Sequence, residues 1–206
     1  MNVEKPTEYG FEDANPAHTH GYLWGPVMKQ IDASSAKRIF DLGCGNGAFA
    51  RHLNSLGYQA NGVDPSEEGI ARAKCADPSL QVAVGNAYDP LAEIYGTFPL
   101  IVSLEVVEHV YFPRKFAQCV ADLLEPGGLA IISTPYHGYL KNLALAVTGS
   151  MDAHFTALWE HGHIKFWSVN TLACLFAEKG LIHEKTLRVG RIPALAKSMI
   201  LTFRKA

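Results

Sequence analysis

Apolar positions along this chain fall into short runs of two alternating kinds. Residues 38–42 form a compact apolar run that ends in glycine, as a buried strand does. Residues 48–56 carry Phe49, Leu53 and Leu56 at helical spacing until Gly57 stops them. The alternation continues with a strand at 59–63, a helix at 66–75 with Ser66 as N-cap, and a strand at 80–84. A fourth strand, 100–104, has no polar residue but Ser103. The helix at 113–124 starts on Pro113, and Gly127-Gly128 then turns the chain into a fifth strand at 129–133. After a Gly-, His- and aromatic-rich interruption at 135–163 come a helix at 169–179, closed by Gly180, and strands at 181–189 and 197–203. Strands separated by helices of about ten residues imply βαβ units and a mostly parallel sheet. The last two strands have no helix between them, so a hairpin and an antiparallel last strand are expected. Residues 1–36 read as an irregular arm or lid with one short helix at 27–32, and 135–163 as an insertion over the acceptor side.

Composition narrows the class. A chain of 206 residues with 48% apolar side chains suits one domain, spanning 1–206, that fills its core without staples. The net charge of −2 and the absence of a Lys/Arg run argue against a nucleic-acid partner. Four scattered cysteines with no CxxC pair point to neither a disulfide framework nor a Cys-rich zinc site. The start of the chain is polar and unlike a secretory signal, so a cytoplasmic setting is the expectation.

The strongest local signal is Asp41-Leu-Gly43-Cys44-Gly45-Asn-Gly47, set between the first strand and the first long helix. Glycines there let the backbone bend sharply and let a ligand approach main-chain N–H groups. Asp64 closes the next strand about 20 residues on, where a carboxylate meets ribose hydroxyls. The spacing is GxGxG rather than GxGxxG, which disfavours a nicotinamide oxidoreductase. Asp41 offers an acceptor for an ammonium group, which suits a sulfonium ligand with an amino-acid tail better than a diphosphate.

From Ile39 to about Ala206 the chain resembles the class I S-adenosylmethionine-dependent methyltransferases, which implies a Rossmann-like α/β fold with helices on both faces of a seven-stranded sheet. The DLGCGNG bend looks like their first motif and Val63-Asp64-Pro65-Ser66 like their second. Gly85-Asn86-Ala87 looks like the third, where Asn86 and Ala87 would face the adenine; Leu104 joins the expected cofactor contacts. Leu124-Glu-Pro-Gly-Gly128 resembles the turn before their fifth strand.

The fourth strand runs into Glu105-Val-Val-Glu108-His109. If the chain turns helical there, the three side chains fall at i, i+3 and i+4 on one face. Two carboxylates and an imidazole can ligate a divalent metal, and His161 and His163 offer a further ligand from the insertion. The run resembles two branches: the ubiquinone-biosynthesis O-methyltransferases, to which the chain is the more similar, and the small-RNA 3′-terminal 2′-O-methyltransferases. By that resemblance Glu105, Glu108, His109 and His163 would hold Mg²⁺ or another divalent metal, and Glu105, His109 and His163 would be the catalytic residues. Without metal, His109 or His163 would serve as general base. The expected reaction is O-methylation of a small hydroxylated, partly apolar molecule; a metal-independent N- or C-methyltransferase and a non-catalytic binding module stay open. The apolar 136–158 region lacks a basic stripe, which makes membrane contact doubtful.

Overall fold

The computed structural model describes residues 10–11, 13–155, 157–159 and 161–206. The start of the expected arm therefore lies outside the described residues. The elements are α1 (His20–Ser34), β1 (Arg38–Leu42), α2 (Ala48–Ser55), β2 (Gln59–Asp64), α3 (Glu67–Ala76), β3 (Gln81–Val84), α4 (Leu91–Tyr95) and β4 (Phe98–Leu104). They continue with α5 (Pro113–Leu123), β5 (Leu124–Pro135), α6 (Tyr139–Val147), α7 (Met151–Phe155), α8 (Val169–Ala177), β6 (Leu181–Val189) and β7 (Ser198–Lys205).

The seven strands form one sheet in the order β3-β2-β1-β4-β5-β7-β6. The first five run parallel to their neighbours, and β7 slots antiparallel between β5 and β6. Each face of the sheet carries its own core. Phe40, Leu42, Ile101 and Ile132 pack under α5 and α8 on one side, while Ile39, Leu100 and Ile131 pack under α1 and α2 on the other. The order reverses between β1 and β4, and the carboxyl ends of the strands at such a switch point are where an open α/β sheet takes its ligand.

The structure differs from the sequence reading for the arm and the fifth strand, and adds detail in two further places. The arm is not irregular beyond residue 20: α1 has 15 residues, with Leu23, Val27 and Ile31 buried at four-residue spacing despite Pro26 inside it. Gly127-Gly128 does not start a separate strand; β5 begins at Leu124 and bulges, so that Phe98 faces Leu124 while Leu100 faces Leu129. The insertion is helical in part, as α6 and α7. The short α4 had no sequence signal and is held chiefly by buried Leu91. Among the described residues no helix is long and apolar enough to cross a membrane.

Candidate active site

β1 ends at Leu42, and the chain then bends through Gly43, Gly45 and Gly47 at φ of 88°, 54° and 69°. These left-handed conformations suit glycine. The Gly43 and Cys44 N–H groups both donate to the Val63 carbonyl, at 2.9 and 3.0 Å, which pins the bend to the end of β2. Asp64 caps it: Oδ2 accepts from Gly45 N at 2.8 Å and Oδ1 from Ser66 N at 2.9 Å. Ser66 in turn caps α3 through Gly69 N. Burial raises the Asp64 carboxyl above its ordinary range, and the two N–H donors work against that shift.

Asp41 lies beneath the bend, 2% exposed, and its Oδ2 has no hydrogen-bonding partner. Burial first, then the Asp64 charge, pushes its pKa up to about 8. An orphaned buried carboxylate oxygen next to a glycine bend suits a cationic ligand. A donor that brings an ammonium group and ribose hydroxyls therefore fits Asp41, Asp64 and the bend.

The remaining sequence candidates divide. At Gly47 a Cβ would stand 2.7 Å from Ala73 Cβ and 2.8 Å from Leu80 Cδ2, so glycine here lets α2 pack against α3 and the turn before β3. Cys44 is buried below the bend. Asn86 organises its own turn, with its N–H on Asp89 Oδ2 and its Oδ1 accepting from Tyr88 N, while Ala87 and Leu104 are partly buried against the two cores. Pro65 leads from Asp64 into the cap of α3.

After β4 the chain does not turn helical, and the expected one-faced arrangement of Glu105, Glu108 and His109 fails. Glu105 has φ of 57° and is outside the group that Glu108 forms with His109, though its charge still reaches Glu108. Its Oε1 accepts from Ser133 Oγ at 2.7 Å and its Oε2 from Ser198 Oγ at 3.0 Å. Ser198 also meets Tyr22 OH at 3.1 Å. Glu105 thereby ties β4, β5, β7 and α1 together and is not among the metal-capable group. Burial raises its pKa to about 7, against the pull of the two hydroxyls and Lys141.

The residues that do converge are Glu108, His109 and His163, whose ligand-capable atoms all lie within 4.8 Å of one another. The Glu108 carbonyl accepts from Ile164 N and Lys165 N, both at 3.0 Å, and the Val107 carbonyl accepts from Trp167 Nε1 at 3.1 Å. These bonds draw the distant segment onto the loop and set His163 with its ring centroid 4.9 Å from that of His109. Trp159 stands edge-on to both. Glu108 is 1% exposed, and neither carboxylate oxygen has a hydrogen-bonding partner. Burial, then the Glu105 charge, raises its carboxyl well above the usual range. Burial lowers both imidazoles, His163 to about 4, so both are neutral near pH 7.

Next to this group, His137 packs on Phe155 and Phe166, with centroids 6.0 and 5.1 Å away, and His154 completes an aromatic wall. Sequence reading missed Ser133, Ser198 and His137. Nothing local marks them; strand pairing and the insertion bring them in. Trp24 is sandwiched between His20 and His52 at 4.9 and 4.6 Å and fastens α1 to α2. The loop bearing Glu108 and His109 packs directly on the glycine bend: a Cβ on Gly43 would stand 2.4 Å from Val106 Cγ2. A separate concavity, lined by Arg38, Pro99, Glu125 and Arg204, opens at the opposite ends of the strands.

A parallel sheet with an inserted antiparallel β7, a glycine bend at its switch point and an acid closing β2 define a class. The chain carries the S-adenosylmethionine-dependent methyltransferase fold. It belongs to the methyltransferase-domain family, whose model matches residues 18–183. Among curated relatives it is similar to the ubiquinone biosynthesis O-methyltransferase of Caulobacter sp. (strain K31), 39% identical over 55% of this chain and 46% of the relative. The human mitochondrial ubiquinone biosynthesis O-methyltransferase is 32% identical over 70% of this chain and 41% of its own length. The Burkholderia pseudomallei (strain K96243) enzyme of the same name is 31% identical, over 75% and 69%. The chain thus spans about half the length of the first curated relatives it matches. Among solved structures, a Pyrococcus horikoshii protein superimposes with a TM-score of 0.73 at 18% identity over 94% of both chains. The Synechocystis magnesium protoporphyrin IX methyltransferase with bound S-adenosylhomocysteine gives 0.66 at 16% identity, over 88% of this chain and 81% of that one.

Proposed function

We propose that this chain methylates a hydroxyl of a small, partly apolar molecule, using S-adenosylmethionine held by the glycine bend, Asp41 and Asp64. The carrying observation is adjacency: Val106 lies against Gly43, which sets the Glu108–His109–His163 group beside the donor bend. The donor, when bound, supplies an electrophilic methyl carbon on a sulfonium. Asp41 receives its ammonium group and Asp64 its ribose hydroxyls. The acceptor enters from the side of His137, Phe155 and Phe166, whose rings give it an aromatic wall of mostly edge-to-face contacts. Neutral His109 would take a hydrogen bond from the reacting hydroxyl and draw off its proton as the oxygen attacks, and His163, lowered to about 4, is the weaker base of the two. Most of the acceleration comes from holding nucleophile and methyl carbon in line.

The same three side chains support a metal-assisted variant. Glu108, His109 and His163 would hold a divalent cation, and two imidazoles with one carboxylate suit a transition ion better than Mg²⁺. Such an ion would supply Lewis acidity toward a catechol oxygen. The names of the curated relatives favour O-methylation over transfer to nitrogen or carbon.

The test is turnover with S-adenosylmethionine and a catechol, following S-adenosylhomocysteine and the methyl ether. Formation of both supports the reading; binding of S-adenosylhomocysteine without turnover of any phenol or catechol overturns it. Glu108→Gln is expected to lose at least about tenfold in kcat if a metal assists, since removing such support costs more than about 1.4 kcal/mol. Full activity of that variant in EDTA removes the metal and leaves the imidazole base.

A further inference from the structure

Lys141 lies in the first turn of α6, just behind Gly138. A cation there opposes the partial positive charge of the helix end, and no acidic residue of that turn offsets it. The helix itself therefore gains nothing from an ammonium group at this position. The side chain is partly buried all the same and reaches inward: its Nζ donates to the Lys197 carbonyl at 3.4 Å. Lys197 precedes Ser198, whose hydroxyl donates to Glu105 Oε2. That long bond uses one of three N–H donors, and among the described residues Lys141 forms no ion pair.

The ammonium stands among the groups of the acceptor side. Burial does most to lower His137, His154 and His163, and the Lys141 charge adds to the lowering of each. Its own pKa is lowered by burial first and by Arg191 second, while Glu105 works the other way. Arg191 comes from the connection between β6 and β7, so two separate segments bring like charges near each other. That costs energy unless an anion joins them. Glu105 forms no ion pair with either, and its two oxygens are held by Ser133 and Ser198. Beside the two cations His137 packs on His154 and Phe166, with centroids 5.5 and 5.1 Å away. An aromatic wall that ends in a cation short of a partner matches a ring with a negative substituent.

We propose that Lys141, with Arg191 behind it, is a specificity-determining residue that selects an acceptor whose aromatic ring carries a carboxylate besides the reacting hydroxyl. This rests on the reading of His137, Phe155 and Phe166 as the acceptor wall. Lys141 meets the substituent and not the reacting atoms, so it acts on acceptor binding more than on transfer. The bond to the Lys197 carbonyl is weak at 3.4 Å, and a carboxylate within reach displaces it with a charge-assisted one.

Turnover of the full chain with catechol, and with protocatechuate and pyrocatechuate, which add a carboxylate to that ring, tests this. Wild type is expected to favour one of the two acids over catechol by about tenfold in kcat/KM, chiefly through KM. Lys141→Met is expected to lose about tenfold on that acid and less than about threefold on catechol. Lys141→Arg, which keeps the charge, is expected to retain most of the preference, and Lys141→Glu to shift it towards dopamine, a catechol with an ammonium group. A wild type that favours neither acid overturns the carboxylate site alone. So does a Lys141→Met variant that loses equally on acid and catechol, since a purely structural lysine would do the same. A wild type that binds S-adenosylhomocysteine and methylates none of these catechols overturns the acceptor reading beneath it. Arg191 is exposed, so Arg191→Gln, expected to cost about threefold on the acid alone, decides the matter if Lys141→Met fails to fold.

Discussion

Asp41 shows how one buried side chain links stability to binding. Its pKa is about 8 in the folded chain against 3.8 for an ordinary aspartate. An acid raised by folding costs nothing below its unfolded pKa, costs more as pH rises, and reaches its full penalty near the folded pKa. Asp41→Asn removes that penalty. Without ligand, the variant is therefore expected to gain on wild type in Tm, by more near about pH 8 than near about pH 5. Its affinity for S-adenosylhomocysteine is expected to fall, because the ammonium loses its charge partner. A Tm gain that is larger at the lower pH would contradict this assignment of the buried carboxylate. Asp41 and Asp64 were legible in the sequence because a bend and a strand end are local features. Glu105 was not. Spacing cannot reveal a φ of 57° or the Ser133 and Ser198 hydroxyls, from distant strands, that hold its carboxylate.

Among the elements, α8 is the plainest case of local chemistry agreeing with packing. Ser168 accepts from Thr171 N, and the Thr171 hydroxyl accepts from Ser168 N at 3.0 Å, closing a capping box. Below it Phe176 packs on Phe203 with centroids 4.4 Å apart. Ser168→Ala is expected to lower stability by about 1 kcal/mol in urea denaturation, and to leave affinity for S-adenosylhomocysteine as it was. A tenfold loss of affinity, about 1.4 kcal/mol, would mean that α8 communicates with the glycine bend. The alternation of strands and helices was readable because each helix repeats apolar residues on one face. α1 was underestimated because Pro26 reads as a break; burial of Leu23, Val27 and Ile31 outweighs a cost of about 3 kcal/mol. α6 gave no clear signal for the opposite reason. It has no buried residue, and Tyr139 and Val147 are 80% and 79% exposed, so no core imposes a pattern on it.

Across the whole molecule, the donor site couples the fold to its ligand. A ligand that binds only the folded chain stabilises it by about 2.7 kcal/mol at a hundred times Kd. Saturating S-adenosylhomocysteine is therefore expected to raise Tm clearly, and Asp64→Ala to abolish most of that rise. An undiminished rise in the variant would remove Asp64 from the donor site. The placement of β7 between β5 and β6 has a second consequence. It carries Ser198, 93 residues from Glu105 along the chain, to the carboxyl end of β4. The amino acid order by itself determined the strand–helix alternation, the glycine bend and the acid that caps it, since these follow from periodicity and from backbone freedom within a few residues. Only the tertiary structure decided which chemistry-bearing side chains meet. His163 reaches His109 through backbone bonds to the Glu108 carbonyl, and Glu105 is held outside the group by the Ser133 and Ser198 hydroxyls. Both depend on contacts between segments far apart in the chain, which no local pattern encodes.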